Sequence, residues 1–89
     1  MEKPHYQFNT NLSVGMRNDD VKHLQECLDY LRFYDLPGNY TGYFGGITLV
    51  TVKLFQERFA DEVLHPLGLT VPTGYVGSST RKKLNEIFK

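Results

Sequence analysis

The chain spells nearly the same eight-residue phrase twice, as TGYFGGIT at Thr41–Thr48 and as TGYVGSST at Thr73–Thr80. Each phrase holds a Thr-Gly pair, a tyrosine, a second glycine and a closing threonine, and helix-forming residues follow it both times. The phrase therefore predicts a turn, a short extended stretch and the entry to a helix. A shift of 32 residues superimposes the two phrases and also carries Val52 onto Leu84. The repeat predicts turn-plus-helix units that bury their apolar faces on one another.

Three main helices are predicted around these phrases. The first runs from Asp19 to Phe33 and follows the capping residue Asn18, with its apolar stripe at Val21, Leu24, Leu28 and Leu31. The second begins near Ile47 or Thr48 and is apolar on most sides, which predicts a central, largely buried helix. The last has its inner stripe at Thr80, Leu84 and Ile87. Between the last two, Ala60–Thr70 has room for a helical turn before Pro66 and a turn at Gly68.

The polar and glycine positions of the repeated units are predicted to maintain the fold. Four glycines supply positive φ or a close backbone approach, and they are Gly42, Gly45, Gly74 and Gly77. Thr48 and Thr80 are expected to cap the first turns of their helices. Gln25 and Gln56 lie at the edges of apolar stripes, where a buried amide can hold loop backbone.

Composition narrows the class of function. The 89 residues suffice for one domain, and 10 basic against 10 acidic residues argue against a nucleic-acid partner. No apolar run is long enough to cross a membrane, and the N-terminal stretch lacks the apolar core of a signal peptide. The single cysteine, Cys27, excludes an internal disulfide. We expect either a cytoplasmic protein or, preferably, a domain of a longer exported chain.

The order and spacing of these residues resemble the peptidoglycan-binding domain type 1 family over Leu12 to Lys89. The matching pattern is Leu12-x-x-Gly15-x-x-Asn18-x-x-Val21-x-x-Leu24-Gln25-x-x-Leu28, then Gly42-x-Phe44-Gly45-x-x-Thr48-x-x-x-Val52-x-x-Phe55-Gln56, then Gly74-x-Val76-Gly77-x-x-Thr80-x-x-x-Leu84. The chain departs from the family at Asn18, where glycine is common, and at Thr41 and Thr73, where Asp is common. Its stretch Ala60–Val71 is also longer than the usual connection, so if that loop borders the ligand groove the family's ligand preferences do not transfer.

The resemblance implies an all-α fold, a small orthogonal three-helix bundle with short turn or extended segments before helices two and three. It divides the chain into an N-terminal tail, residues 1–11, and a peptidoglycan-binding-like domain, residues 12–89. It implies a non-catalytic, monomeric module that anchors an attached exported enzyme, such as a hydrolase, to the cell wall. The expected location is extracellular, at the cell wall or in the periplasm, without membrane insertion. The alternative is a packing domain that docks on a catalytic partner domain.

No catalytic constellation stands out, and we expect neither an enzyme nor a cofactor. His23 and Cys27 share a helix face near Asp19 and Asp20, but a structural zinc site needs four ligands, so we expect no metal. His23, Cys27, Tyr30 and Tyr34 also form an aromatic strip opposite the predicted core face. We expect the N-terminal tail or the long loop to cover it, a binding face being the alternative.

Two corners are candidates for the ligand site. The preferred corner combines Asn39, Tyr40, Tyr43, Gly45 and Gly46, which together offer aromatic faces, free helix N-terminal amides and a polar amide. The competing corner joins Tyr75 to Arg81 and Lys82, whose cations favour the carboxylates of stem peptides. For most of the repeated positions, fold maintenance is the preferred interpretation.

Overall fold

The computed structural model describes all 89 residues and contains helices but no β-strand, only two isolated β-bridges. The helices are α1 (Asp19–Tyr30), α2 (Gly46–Arg58), the short α3 (Ala60–Val63) and α4 (Ser78–Phe88), with a 3-10 turn at His65–Leu67. The predicted all-α class is confirmed. The helical turn predicted within Ala60–Thr70 is confirmed as the one-turn helix α3, which makes the count of helices four rather than three.

Helix α1 begins where its capping residue predicts and ends earlier than expected. The side chain of Asn18 accepts a hydrogen bond of 2.9 Å from the backbone N–H of Val21. At the other end Arg32 adopts a left-handed conformation with φ +66°. The N–H of Phe33 then donates to the carbonyl of Leu28 at 3.0 Å, which closes the helix with a Schellman motif. The predicted end at Phe33 is therefore wrong by one turn.

The first turns of α2 and α4 are built differently from the prediction. Gly45 and Gly77 occupy the N-cap positions, and neither helix has a side-chain cap. Thr48 and Thr80 lie inside the helices and are buried. Their hydroxyls accept hydrogen bonds from the amides of Gln25 and Gln56, which are also buried. The expected capping role of the two threonines is therefore wrong.

Extended backbone links the two repeated phrases to the segment before α1. Leu12 forms an antiparallel bridge with Val76, and Arg17 forms one with Tyr43. The N–H of Phe44 donates to the carbonyl of Met16 at 2.8 Å, so one continuous segment pairs with both phrases. This arrangement explains the repeat, because Phe44 and Val76, which are equivalent positions of the two phrases, both hydrogen-bond to that segment.

The core comprises 13 buried residues, which come from the N-terminal segment, the three long helices, the loop after α1 and the two repeated phrases. They are Phe8, Leu12, Val21, Leu24, Cys27, Leu28, Tyr34, Phe44, Val52, Phe55, Val76, Leu84 and Phe88. Their positions confirm the predicted inner stripes, with Phe88 rather than Ile87 fully buried at the end of α4.

Helix α2 is less buried than its composition predicts. Ile47, Val50 and Leu54 are 44%, 53% and 42% exposed, and they lie on the side of the helix opposite Val52 and Phe55. The prediction of a largely buried central helix is therefore wrong. In a domain of this size, too few elements remain to cover a second face of the helix.

The N-terminal segment covers the aromatic strip of α1. The ring of Tyr6 stacks on His23 with centroids 4.1 Å apart, and Phe8 is buried in the core. Cys27 and Tyr34 also belong to the core rather than to an exposed strip. The expectation of a cover is confirmed, and the strip is not a free binding face.

Candidate functional site

The corner around Tyr43 lies at the start of α2. A Cβ atom added to Gly45 would lie 2.9 Å from Cε2 of Tyr43, so a side chain at this position would displace the ring. Because α2 has no side-chain cap, the first amides of the helix point outward without an intrahelical acceptor. The Tyr43 ring is 41% exposed, and the guanidinium carbon of Arg17 lies 4.8 Å from its centroid. One face of this ring is therefore already occupied.

The same geometry recurs at the start of α4. A Cβ atom added to Gly77 would lie 3.0 Å from Cε2 of Tyr75, and this helix also lacks a side-chain cap. Tyr75 is 46% exposed. The cation–π contacts of the molecule involve Tyr43 and Phe59 and leave the Tyr75 ring free.

Two buried glutamines hold these corners in shape. The amide nitrogen of Gln25 donates to the Tyr43 carbonyl at 3.0 Å, and its amide oxygen accepts from the N–H of Gly42 at 2.9 Å. Gln56 makes the equivalent bonds to Tyr75 and Gly74, both at 2.9 Å. The predicted role of both amides is confirmed.

Two further residues of the Tyr43 corner, Asn39 and Tyr40, lie in the loop between α1 and α2 and make contacts with that loop and with α1. The backbone carbonyl of Asn39 accepts a 2.9 Å hydrogen bond from the hydroxyl of Tyr34, while Asn39 itself is exposed. The Tyr40 hydroxyl donates to the carboxylate of Asp29. Burial first, and then this hydrogen bond, raises the pKa of Tyr40 to about 12. The Tyr40 hydroxyl therefore helps to hold the loop before α2 against α1.

The competing corner consists of two adjacent depressions rather than one. Arg81 donates from Nε to the side chain of Asn11 at 3.0 Å and lines a polar depression with Lys82 and Lys89. Tyr75 lines a separate groove, and Ser78 is common to both. The sequence brought Tyr75, Arg81 and Lys82 together as one site, whereas the structure separates the ring from the cations.

The groove beside Tyr75 was not predicted as a site. Its volume is about 260 Å³, and the long segment after α2 forms one side of it. The apolar lining residues are Val63, Leu64, Leu67, Leu69 and Tyr75. The available signal was the unusual length of Ala60–Val71, together with its closely spaced leucines.

The residues considered for zinc binding do not converge. No group of three His, Cys, Asp or Glu side chains is placed to hold a metal ion. Cys27 is buried, and burial raises the pKa of its thiol to about 12, which makes it a poor nucleophile or ligand at neutral pH. Nδ1 of His23 lies 3.6 Å from Oε1 of Glu26. No helix combines the length and the apolar character that crossing a membrane requires.

Residues 17–84 match the sequence profile of the family described as putative peptidoglycan binding domain. This chain belongs to that family. Its fold is also similar to the crystal structure of the SleB N-terminal domain, with a TM-score of 0.71 and 32% sequence identity. The alignment covers 94% of this chain and 100% of the other. A comparison with curated protein sequences returns no match.

Family membership confirms the resemblance seen in the sequence and identifies a cell-wall binding module whose partner is peptidoglycan. The family is one of binding domains, and the two repeated phrases of this peptidoglycan-binding domain lie within the matched residues.

Proposed function

We propose that this domain anchors an attached exported enzyme, such as a cell-wall hydrolase, to peptidoglycan and has no catalytic activity of its own. The observation that carries the proposal is the pair of exposed tyrosines, Tyr43 and Tyr75, each held over the cap glycine of an uncapped helix. An aromatic face beside outward-pointing amides suits sugar rings, acetamido groups and carboxylates. The similar SleB structure is an N-terminal domain, which supports the idea of an attached partner domain.

The proposed contact residues fall at the two helix starts. They are Tyr43, Gly45 and Gly46 at α2, with Asn39 and Tyr40 in the loop that precedes it, and Tyr75 and Arg81 at α4. We propose that the domain works as a monomer at the cell wall. Its affinity on its own is modest, because an attached domain adds avidity by keeping the module close to the wall.

Sedimentation with insoluble peptidoglycan tests this function. The purified chain should sediment with wall material and should release no soluble fragments from it. Tyr43→Ala and Tyr75→Ala should each reduce the sedimented fraction, provided that circular dichroism shows an intact helical fold. Val71→Ala is the matched control, because Val71 is 68% exposed and lines none of the described depressions. Release of fragments would contradict the binding role, and absence of sedimentation would contradict wall anchoring.

One observation favours the alternative, a packing domain that docks on a catalytic partner. Ile47, Val50 and Leu54 form an exposed apolar stripe on α2, and such stripes often mark contacts between proteins. Val50→Glu should leave wall sedimentation unchanged if the domain binds peptidoglycan through its helix starts. If the unmodified chain does not sediment with several wall types, docking through this stripe becomes the better explanation.

A further inference from the structure

The groove beside Tyr75 has an apolar floor and partly exposed apolar walls. Val63 and Leu64 are 1% and 2% exposed and form the floor, whereas Leu67 and Tyr75 are 58% and 46% exposed and stand at the sides. The volume of about 260 Å³ is slightly below the roughly 300 Å³ at which pockets for drug-sized ligands begin. The groove therefore suits a short chain fragment with small apolar groups.

A cationic depression adjoins this groove. The cationic side chains of Arg81, Lys82 and Lys89 line it, and Glu86 is the one acidic side chain beside them. The ion pairs of the molecule use His23, His65 and Lys83, so none of these three cations is neutralised by a salt bridge. Ser78 lines both depressions, and a ligand in the groove can therefore reach the positive charges without leaving the surface.

We propose that this groove binds the stem peptide of peptidoglycan and not its glycan strand. The proposal rests on the wall-binding function and names the part of the wall that the domain recognises. Stem peptides carry methyl groups and free carboxylates, which complement the walls at Leu67 and Leu69 and the cations at Arg81 and Lys82. A glycan strand whose lactyl carboxyls are joined to peptides offers neutral hydroxyl and acetamido groups, which leave the cations without a charged partner.

The long connection after α2 forms most of the apolar lining of this groove. It supplies the floor and the outer wall of the groove, through Val63, Leu64, Leu67 and Leu69. The hydroxyl of Ser79 donates to the carbonyl of Val63 at 3.0 Å, which ties this segment to the start of α4. The wall is therefore held in place before a ligand arrives.

A titration of the complete 89-residue chain tests the assignment. The probes are a synthetic stem pentapeptide without sugar and chitotetraose, which carries acetamido sugars without peptide. Backbone amide shifts should move for Leu67, Leu69, Tyr75 and Ser78 with the peptide and should not move there with chitotetraose. The peptide shifts should also weaken as salt is raised, because exposed charges are screened.

Two variants with matched controls separate the apolar and charged contributions. Lys82→Glu should weaken peptide binding about fivefold, in line with an exposed ion pair, and Leu67→Gln should weaken it by a similar factor. The controls are Lys22→Glu on α1 and Val71→Gln in the same long segment, both exposed and outside the groove. All four positions are on the surface, so the variants should fold normally.

The outcomes distinguish this inference from the function on which it rests. If the chain sediments with peptidoglycan but the peptide moves no groove amides, the inference is overturned and wall binding stands. Shifts at Tyr43 and Gly46 alone, or shifts caused only by chitotetraose, overturn it equally. A chain that does not sediment with any wall overturns the proposed function itself.

Discussion

At the scale of single residues, the two buried glutamines hold the repeated units together. Each places its amide inside a turn, donating to a tyrosine carbonyl and a threonine hydroxyl while accepting from a glycine N–H. No buried side-chain polar atom in the molecule lacks a hydrogen-bond partner. Both amides therefore have hydrogen-bond partners for their nitrogen and their oxygen. Removal of either side chain leaves several backbone groups without a partner.

Replacement of Gln56 by alanine should lower the free energy of unfolding by about 1–3 kcal/mol, since buried partners lose their hydrogen bonds. The groups left without a partner include the N–H of Gly74 and the carbonyl of Tyr75. Chemical denaturation measures the loss. Glu57→Ala is the control, because the neighbouring Glu57 is exposed and should change stability little. Equal stability of the two variants would show that Gln56 does not hold the turn.

At the scale of elements, the sequence predicted what depends on neighbouring residues and missed what depends on distant ones. The start of α1 follows from side-chain capping by Asn18, and the entries to α2 and α4, at the second glycine of each phrase, follow from local turn chemistry. The early end of α1 depends on an arginine, Arg32, in a conformation that usually indicates glycine. The exposed side of α2 could not be seen, because an apolar helix does not reveal how many neighbours it will have.

The candidate site divides along the same line. The placement of Tyr43 over Gly45 and of Tyr75 over Gly77 is local, and the repeated phrase pointed to both helix starts. The groove is not local. It exists because the segment around Leu67 folds back on the start of α4, a contact that no spacing pattern encodes.

A pair of glycines should respond oppositely to alanine. Gly74 has φ +77°, and an added Cβ would clash with Cδ1 of Leu49, so Gly74→Ala should lower the free energy of unfolding by about 1–3 kcal/mol. Gly46 begins α2 with open space around it, so Gly46→Ala should stabilise the fold by about 0.4–1 kcal/mol. Thermal melts of both variants measure the difference. Similar melting temperatures of the two variants would mean that the turn at Gly74 is not as tightly packed as described.

At the scale of the whole molecule, the N-terminal segment closes the fold by joining the last helix, α4, to the first helix, α1. The side chain of Asn85 bonds both backbone groups of Phe8, at 2.7 and 3.0 Å, and the N–H of Tyr6 donates to the Phe88 carbonyl at 2.8 Å. The Tyr6 hydroxyl also donates to the carboxylate of Asp20 at the start of α1. The segment therefore contacts both the first and the last helix.

This closure should make the fold sensitive to alkaline pH. The hydrogen bond to Asp20 first, and then burial, raises the pKa of Tyr6 from 10.0 to about 12. A raised pKa means that the folded state favours the neutral phenol, so this stabilisation is complete below pH 10 and is lost between pH 10 and about 12. Burial raises the pKa of Tyr34, Tyr40 and Cys27 in the same direction, which adds to the loss.

Tyr6→Phe isolates this contribution, because phenylalanine keeps a ring to stack on His23 and removes only the hydroxyl. At neutral pH the free energy of unfolding of the variant should be about 1 kcal/mol lower than that of the unmodified chain. As the pH rises above 10, the free energy of unfolding should fall less in the variant than in the unmodified chain. Asp20→Asn and the double variant complete the cycle, and the two single effects should not add, since the side chains share one hydrogen bond. Urea denaturation at pH 7, 10 and about 11 measures all four proteins, within the window set by the shifted Tyr6 pKa. Additive effects, or an unchanged alkaline loss in Tyr6→Phe, would show that the N-terminal segment is not held to α1 by this contact.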